Sequence, residues 1–144
     1  MIIINFLMFK NFIIIFFILF SGCNSTWKKK IYNEDKDFIV KGRYPYHSIN
    51  VEKTEEYREI INILRKEIEE PIIFDKIVKM YFNINYPPFY YQMTMLDEER
   101  NNLIIRYFSR FFRPKIYAGI MIQFIYNLKE KKINKIYVDM VPLE

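Results

Sequence analysis

The chain has one cysteine, one histidine, one alanine and three glycines in 144 residues, and these shortages exclude several classes of function. With Cys23 alone, no intramolecular disulfide can form, so stability has to come from an apolar core. A zinc or iron centre built from cysteine and histidine has too few donors, because Cys23 and His47 are the whole supply. Past Gly22 the only glycines are Gly42 and Gly119, which leaves no glycine-rich loop to cradle a phosphate. His47 sits beside Tyr44, Pro45 and Tyr46, the setting of a loop histidine, and no catalytic partners are placed near it. No cofactor and no metal are expected.

What the chain has instead is isoleucine, lysine, asparagine, phenylalanine and tyrosine. These are residues of A/T-rich codons, so the aromatic and lysine excess is partly compositional. The formal net charge of +5 is modest and favours anionic surfaces without being a nucleic-acid-binding signature.

The apolar run from Phe12 to Phe20 is nine residues long. A spanning helix needs roughly 20 apolar residues, whereas a signal-peptide core needs about 7–15. Extending the run back to Ile2 meets Asn5, Lys10 and Asn11, and a charge near its middle is costly in hydrocarbon. A start at Met8 rather than Met1 gives the tidier segment: Lys10, the apolar core, then Ser21-Gly22-Cys23. That arrangement resembles the lipobox of bacterial lipoproteins, with Phe20 in place of the usual leucine. The resemblance implies cleavage before Cys23, acylation of its thiol, and a cell-envelope location in the outer membrane or on the periplasmic face of the inner membrane. Multiple acyl chains anchor firmly where one holds only marginally. Removing Lys10 with the segment takes the 22 basic side chains to 21 against 17 acidic, a balance of +4. An exported protein of this kind is not expected to meet nucleic acid.

Three regions follow: a signal peptide over 1–22, a lipidated polar tether over 23–36 and one domain over 37–144. The polar stretch from Asn24 to Lys36 shows no apolar period and could reach on the order of 45 Å. Trp27 with Lys28, Lys29 and Lys30 suits either an anionic membrane surface or a solvated linker. Phe38 to Tyr44 reads as a strand. Thr54 can cap a helix whose stripe is Tyr57, Ile61, Leu64 and Ile68, stopped by Pro71. Alternation from Val78 to Tyr86 and from Phe89 to Met95 predicts two strands around Pro87-Pro88. Asp97 can cap a second helix burying Leu103, Ile104, Tyr107, Phe108 and Phe111, with strands over 116–126 and 135–141 to finish. The expected fold is α+β: an antiparallel sheet of about five strands with two helices on one face, ferredoxin-like with an extra edge strand.

Four tyrosines, Tyr81, Tyr90, Tyr117 and Tyr137, fall on the non-core alternation and together would make an aromatic platform for a peptide, glycan or envelope protein. Arg106, Arg110 and Arg113 recur at spacings of four and three, a stripe at the second helix's C-terminus suited to anion or headgroup contact or to simple dipole complementarity. Glu67, Glu69 and Glu70 crowd the negative end of the first helix and call for basic partners. The expected function is non-enzymatic binding or assembly on a membrane held through Cys23. The alternatives are a small envelope hydrolase using carboxylates, or an inhibitor or immunity-type protein with a protruding Tyr86–Tyr91 loop.

Overall fold

Apolar residues at helical spacing and at alternate positions sort the chain into helices and strands, and the computed structural model stacks these as two layers. Residues 26–45, 47–51, 53–113 and 116–142 are described, with the side chains of 111–113, 116 and 117 left out. Cys23 and residues 1–22, expected from sequence to be a signal peptide, lie outside the described residues. The helices are α1 (Thr26–Tyr32), α2 (Glu55–Ile68) and α3 (Pro71–Tyr81). The strands are β1 (Ile39–Lys41), β2 (Ser48–Asn50), β3 (Tyr90–Asp97), β4 (Asn102–Arg113), β5 (Ile116–Asn127) and β6 (Lys132–Pro142).

The fold is α+β, but the sheet is six-stranded and mixed, in the order β1-β6-β5-β4-β3-β2. β3 to β6 form a meander in which each strand pairs antiparallel with the next, while β1 joins β6 in parallel. That is not the interleaved order of a ferredoxin-like sheet. All three helices pack on one face, where Ile31, Leu64, Ile68, Phe74 and Ile77 meet Leu103, Ile105, Tyr107, Ile122 and Phe124.

α2 forms where its apolar stripe predicts, with Glu55 and Glu56 in its first turn and Ile61, Leu64 and Ile68 buried. Thr54 occupies the N-cap position, yet its hydroxyl donates to the Val51 carbonyl (2.7 Å) rather than capping the helix. Three other segments differ from expectation. Within the expected tether, residues 26–36 are not plain linker: α1 turns Trp27 and Ile31 inward, one helical turn apart, and Trp27 packs edge-on to Phe124 with centroids 6.1 Å apart. Two apolar residues among so many polar ones show no period in the sequence. Pro71 does not merely stop α2; it takes the first position of α3, where a missing N–H costs nothing. α3 buries Ile73, Phe74, Ile77 and Val78, so the alternation read from Val78 onward starts inside a helix. Lastly, the expected second helix after Asp97 is the strand β4. Leu103, Ile105 and Tyr107 face the helices, while Ile104 joins Met95 and Ile125 in a smaller cluster on the other face. Burial on both faces gives a continuous apolar run, which mimics a helix.

That second face is covered because β1 and β2, consecutive in the chain, sit at opposite edges of the sheet. Five strand spacings of about 4.8 Å make roughly 24 Å. The seven steps from Lys41 to Ser48, at about 3.3–3.6 Å each, only just span it. The chain therefore crosses as an extended strap. Gly42 starts it with φ +133°, a region closed to most side chains, and its N–H donates to the Val138 carbonyl (2.7 Å). Midway, the Tyr44 N–H donates to Gln123 Oε1 (3.0 Å) and its ring meets Tyr137 edge-on at 5.6 Å.

Asp97 fixes the strap and the β3–β4 turn together. Its Oδ1 accepts from the backbone N–H groups of Asn101 (2.8 Å) and Asn102 (3.1 Å). Its Oδ2 accepts from Asn102 Nδ2 (2.7 Å) and the Tyr44 hydroxyl (3.2 Å). Burial alone would raise this carboxyl's pKa, but those hydrogen bonds, led by Asn102, hold it below the ordinary value.

Candidate functional site

A broad concavity lies on the helix side, where α2 ends, α3 begins and residues 82–89 return toward β3. Its volume is about 800 Å³, within the ordinary range for small-molecule sites. Only Glu69 and Glu70 separate α2 from Pro71, the first residue of α3, so residues of both helices, Arg65 and Glu69 from one end and Phe74, Asp75 and Lys79 from the other, line one cleft. The return segment is pinned rather than protruding: Ser109 Oγ donates to the Pro87 carbonyl at 2.5 Å, and Tyr86 and Phe89 pack against the core.

The inner walls are aromatic. Phe89 stacks on Phe74 with centroids 4.9 Å apart and planes within 15°, Tyr86 lies 5.2 Å from Phe89, and Tyr107 lies 5.1 Å from Phe74. At one side the lining turns polar. Arg65 Nε donates to Glu69 Oε1 at 2.7 Å, the Tyr107 hydroxyl donates to the same oxygen at 3.0 Å, and the Arg65 guanidinium carbon sits 3.9 Å over the Tyr91 ring. Burial first, then the Glu69 carboxylate, pushes the Tyr107 hydroxyl far up from its ordinary value. Burial and then Asp75 push Tyr86 up to about 12. Both phenols therefore stay protonated near pH 7, and that of Tyr107 donates its hydrogen to Glu69. The two carboxylates of the lining are engaged: Glu69 as above, and Asp75 with Lys79 at 2.9 Å.

Tyr81, Tyr90 and Tyr137, expected with Tyr117 to form one platform, do not come together. Tyr81 ends α3 and donates its hydroxyl to the Ile39 carbonyl. Tyr137 lies on the strap side of the sheet against Tyr44. The side chain of Tyr117 lies outside the described residues. Only Tyr90, 67% exposed, lines the cleft. Of the other lining residues, Tyr86, Phe89 and Tyr91 belong to the segment expected to protrude as a loop and Tyr107 to an expected helix face, while Arg65 and Phe74 carry no site signal in the sequence. The available signal was the aromatic concentration around Pro87-Pro88. Of the crowded glutamates, two have basic partners: Glu69 with Arg65, and Glu70 with Lys28 at 2.5 Å.

The arginines occupy a strand, not a helix end, so no helix dipole acts on them. Arg106 and Arg110 lie on the strap face of β4, and the Arg113 side chain lies outside the described residues. With Arg43 of the strap they line a second hollow of about 280 Å³. Arg43 pairs with Asp139 at 2.7 Å. The Nε of Arg106 is buried with no hydrogen-bond partner among the described residues. Burial, then the neighbouring Arg43, lowers the pKa of this guanidinium.

Among the described residues, no group of three or more histidines, cysteines or acidic residues is placed to hold a metal ion. Likewise no helix among them is long and apolar enough to cross a membrane. Neither a family model nor a curated protein nor a solved structure matches the chain.

Proposed function

We propose that this is a lipid-anchored envelope protein that works by binding, holding a small ligand with an apolar, planar portion in the cleft between α2, α3 and the sheet. The observation that carries the reading is the cleft itself: Phe89, backed by the buried Phe74, lines it with Tyr86 and Tyr90 as an apolar ring wall, and the Arg65–Glu69–Tyr107 cluster offers polar contacts beside them. Aromatic pairs gain about 0.5–1.5 kcal/mol beyond area burial, so rigid ring walls favour ring-bearing peptides and the apolar faces of sugars. The protonated phenols and the engaged carboxylates favour recognition over acid–base catalysis. Anchoring rests on Cys23 and the segment before it. Only Asn24 and Ser25 separate Cys23 from α1, so acylation there would hold the domain close to the bilayer.

A neutral fluorescent probe, N-phenyl-1-naphthylamine, tests the cleft. The folded protein is expected to bind it saturably at one site, and Phe89→Ala is expected to weaken binding about tenfold. Peptides and glycans can then be ranked by displacement. A folded protein that does not bind the probe, or binds it equally well in Phe89→Ala, would refute the reading.

A further inference from the structure

The hollow beneath the strap is built unlike an ordinary solvated arginine patch. Its cations come from distant parts of the chain, Arg43 from the strap and Arg106 and Arg110 from β4. On β4 a spacing of four residues keeps Arg106 and Arg110 on one face, with Phe108 between them. Phe108 faces Met121 on β5, and its ring reaches along the strand over Gly119, the partner of Arg110, where a Cβ would collide with the ring's outer edge. Phe108 and Met121 thus floor the hollow, and the Arg110 guanidinium carbon stands 5.9 Å from the Phe108 ring.

Charge in this hollow is unbalanced. Among the described residues only Asp139 pairs with any of the three arginines, and it pairs with Arg43. Arg106 carries a buried Nε–H with no acceptor. Native proteins leave few buried donors unpaired, and those of a charged group are the most costly to leave so. Two like charges held near each other, Arg43 and Arg106, also disfavour the empty arrangement. An anion with several oxygens would satisfy the donor and the repulsion together. Each guanidinium presents a planar fork to two oxygens, so three forks suit the tetrahedral oxygens of a phosphate better than the two of a carboxylate. The volume, about 280 Å³, equals on the order of nine waters and admits a phosphate with part of the molecule that bears it.

We propose that Arg43, Arg106 and Arg110 form a binding site for a phosphate group carried by a molecule with an apolar portion, which rests on Phe108 and Met121. This site lies on the opposite face of the sheet from the aromatic cleft and is independent of it. The phosphate has two natural sources, a soluble phosphoester or the headgroup of an anionic lipid.

The test is calorimetric titration of the full chain in non-ionic detergent with phenyl phosphate, with dihexanoyl-phosphatidylglycerol and, as the zwitterionic control, with dihexanoyl-phosphatidylcholine. One-to-one binding of at least one of the first two is expected, weakened tenfold or more by Arg106→Gln and severalfold by the exposed Arg110→Gln. Arg106→Lys should fall between wild type and Arg106→Gln, because it keeps the charge and loses the fork. Tighter binding of phosphatidylglycerol assigns the lipid headgroup, and tighter binding of phenyl phosphate assigns a soluble ester. Phe89→Ala should leave both titrations unchanged, which separates this site from the cleft. Absence of binding by either phosphate compound, or equal binding by wild type and a folded Arg110→Gln, overturns the proposal; if Arg106→Gln does not fold, Arg110→Gln alone decides.

Discussion

Replacing Trp27 by alanine separates the two descriptions of the N-terminal segment. In a solvated linker the change would alter stability by no more than about 0.5 kcal/mol. In the fold, Trp27 is 6% exposed and packs edge-on to Phe124, which itself contacts Phe74 and Tyr107. A buried aromatic removes about 150–250 Å² from water, worth roughly 4–6 kcal/mol at about 25 cal/mol per Å². Alanine retains a little of that and the site relaxes in part, so about 3–4 kcal/mol of destabilisation is expected, in line with the usual range of about 3–5 for aromatic truncations. With a urea slope of about 2 kcal/mol per molar for a domain of this size, the midpoint falls by about 1.5–2 M. Circular dichroism is the appropriate readout, because Trp27 is the only tryptophan and its removal abolishes the indole signal. In the unmodified chain that same indole should emit at short wavelength and resist acrylamide quenching until unfolding. Exposed Lys29→Ala is the control and should be neutral. A Trp27→Ala midpoint within about 0.3 M of wild type would show that α1 does not belong to the core.

Asp97→Asn should lower stability at neutral pH by about 1–3 kcal/mol, because an amide nitrogen would face the Asn102 Nδ2 and Tyr44 donors that a carboxylate accepts. Since the folded carboxyl is held below its ordinary value of about 3.9, its contribution is complete above about pH 5 and is lost as the pH falls through the folded value. Denaturant midpoints measured from pH 7 to pH 2.5 should therefore fall less steeply in Asp97→Asn than in wild type, and equal slopes would count against the Asp97 hydrogen bonds. For the anchor, intact-mass spectrometry of protein expressed in a bacterial host should find an acylated N-terminus at Cys23 that is lost in Cys23→Ala. An unprocessed chain in both would remove lipidation from the proposed function.

How much of the fold is legible in the sequence depends on how one-sided each element is. α2 is readable because it buries one stripe and leaves the rest to solvent, so Tyr57, Ile61, Leu64 and Ile68 stand out against charged neighbours. β6 is readable for the same reason, with Ile133, Ile136 and Val138 buried between more exposed neighbours, whereas β5 is buried on both faces and is read from its β-branched and aromatic apolar run alone. β4 is not, because the strap and the Met95–Ile104–Ile125 cluster bury its second face as well. α1 is hidden by the opposite effect: two apolar residues in seven are enough to dock a short helix and too few to show a period. Asp97 illustrates a correct signal with a different use. An acidic residue whose carboxylate accepts nearby backbone N–H groups was expected at a helix start; it accepts them at a β-turn instead.

The sites follow the same logic of spacing. A separation of four keeps two side chains on one face both in a helix, at about 400° of rotation, and in a strand, where any even number does so. A separation of three does so only in a helix. The association of Arg106 with Arg110 therefore survives the change of secondary structure, whereas extending the stripe to Arg113 depended on the helix. Arg43 could not be joined to them by any spacing rule, because it arrives through the strap, whose path is set by β1 and β2 pairing at opposite edges of the sheet. The cleft shows the same dependence on long-range order. Phe74 and Phe89 meet across the turn of the chain between α3 and β3, and Tyr107 reaches Glu69 from a strand 38 residues away. Local pattern identifies which faces are apolar; the strand order decides which of those faces meet, and both sites are made at that second step.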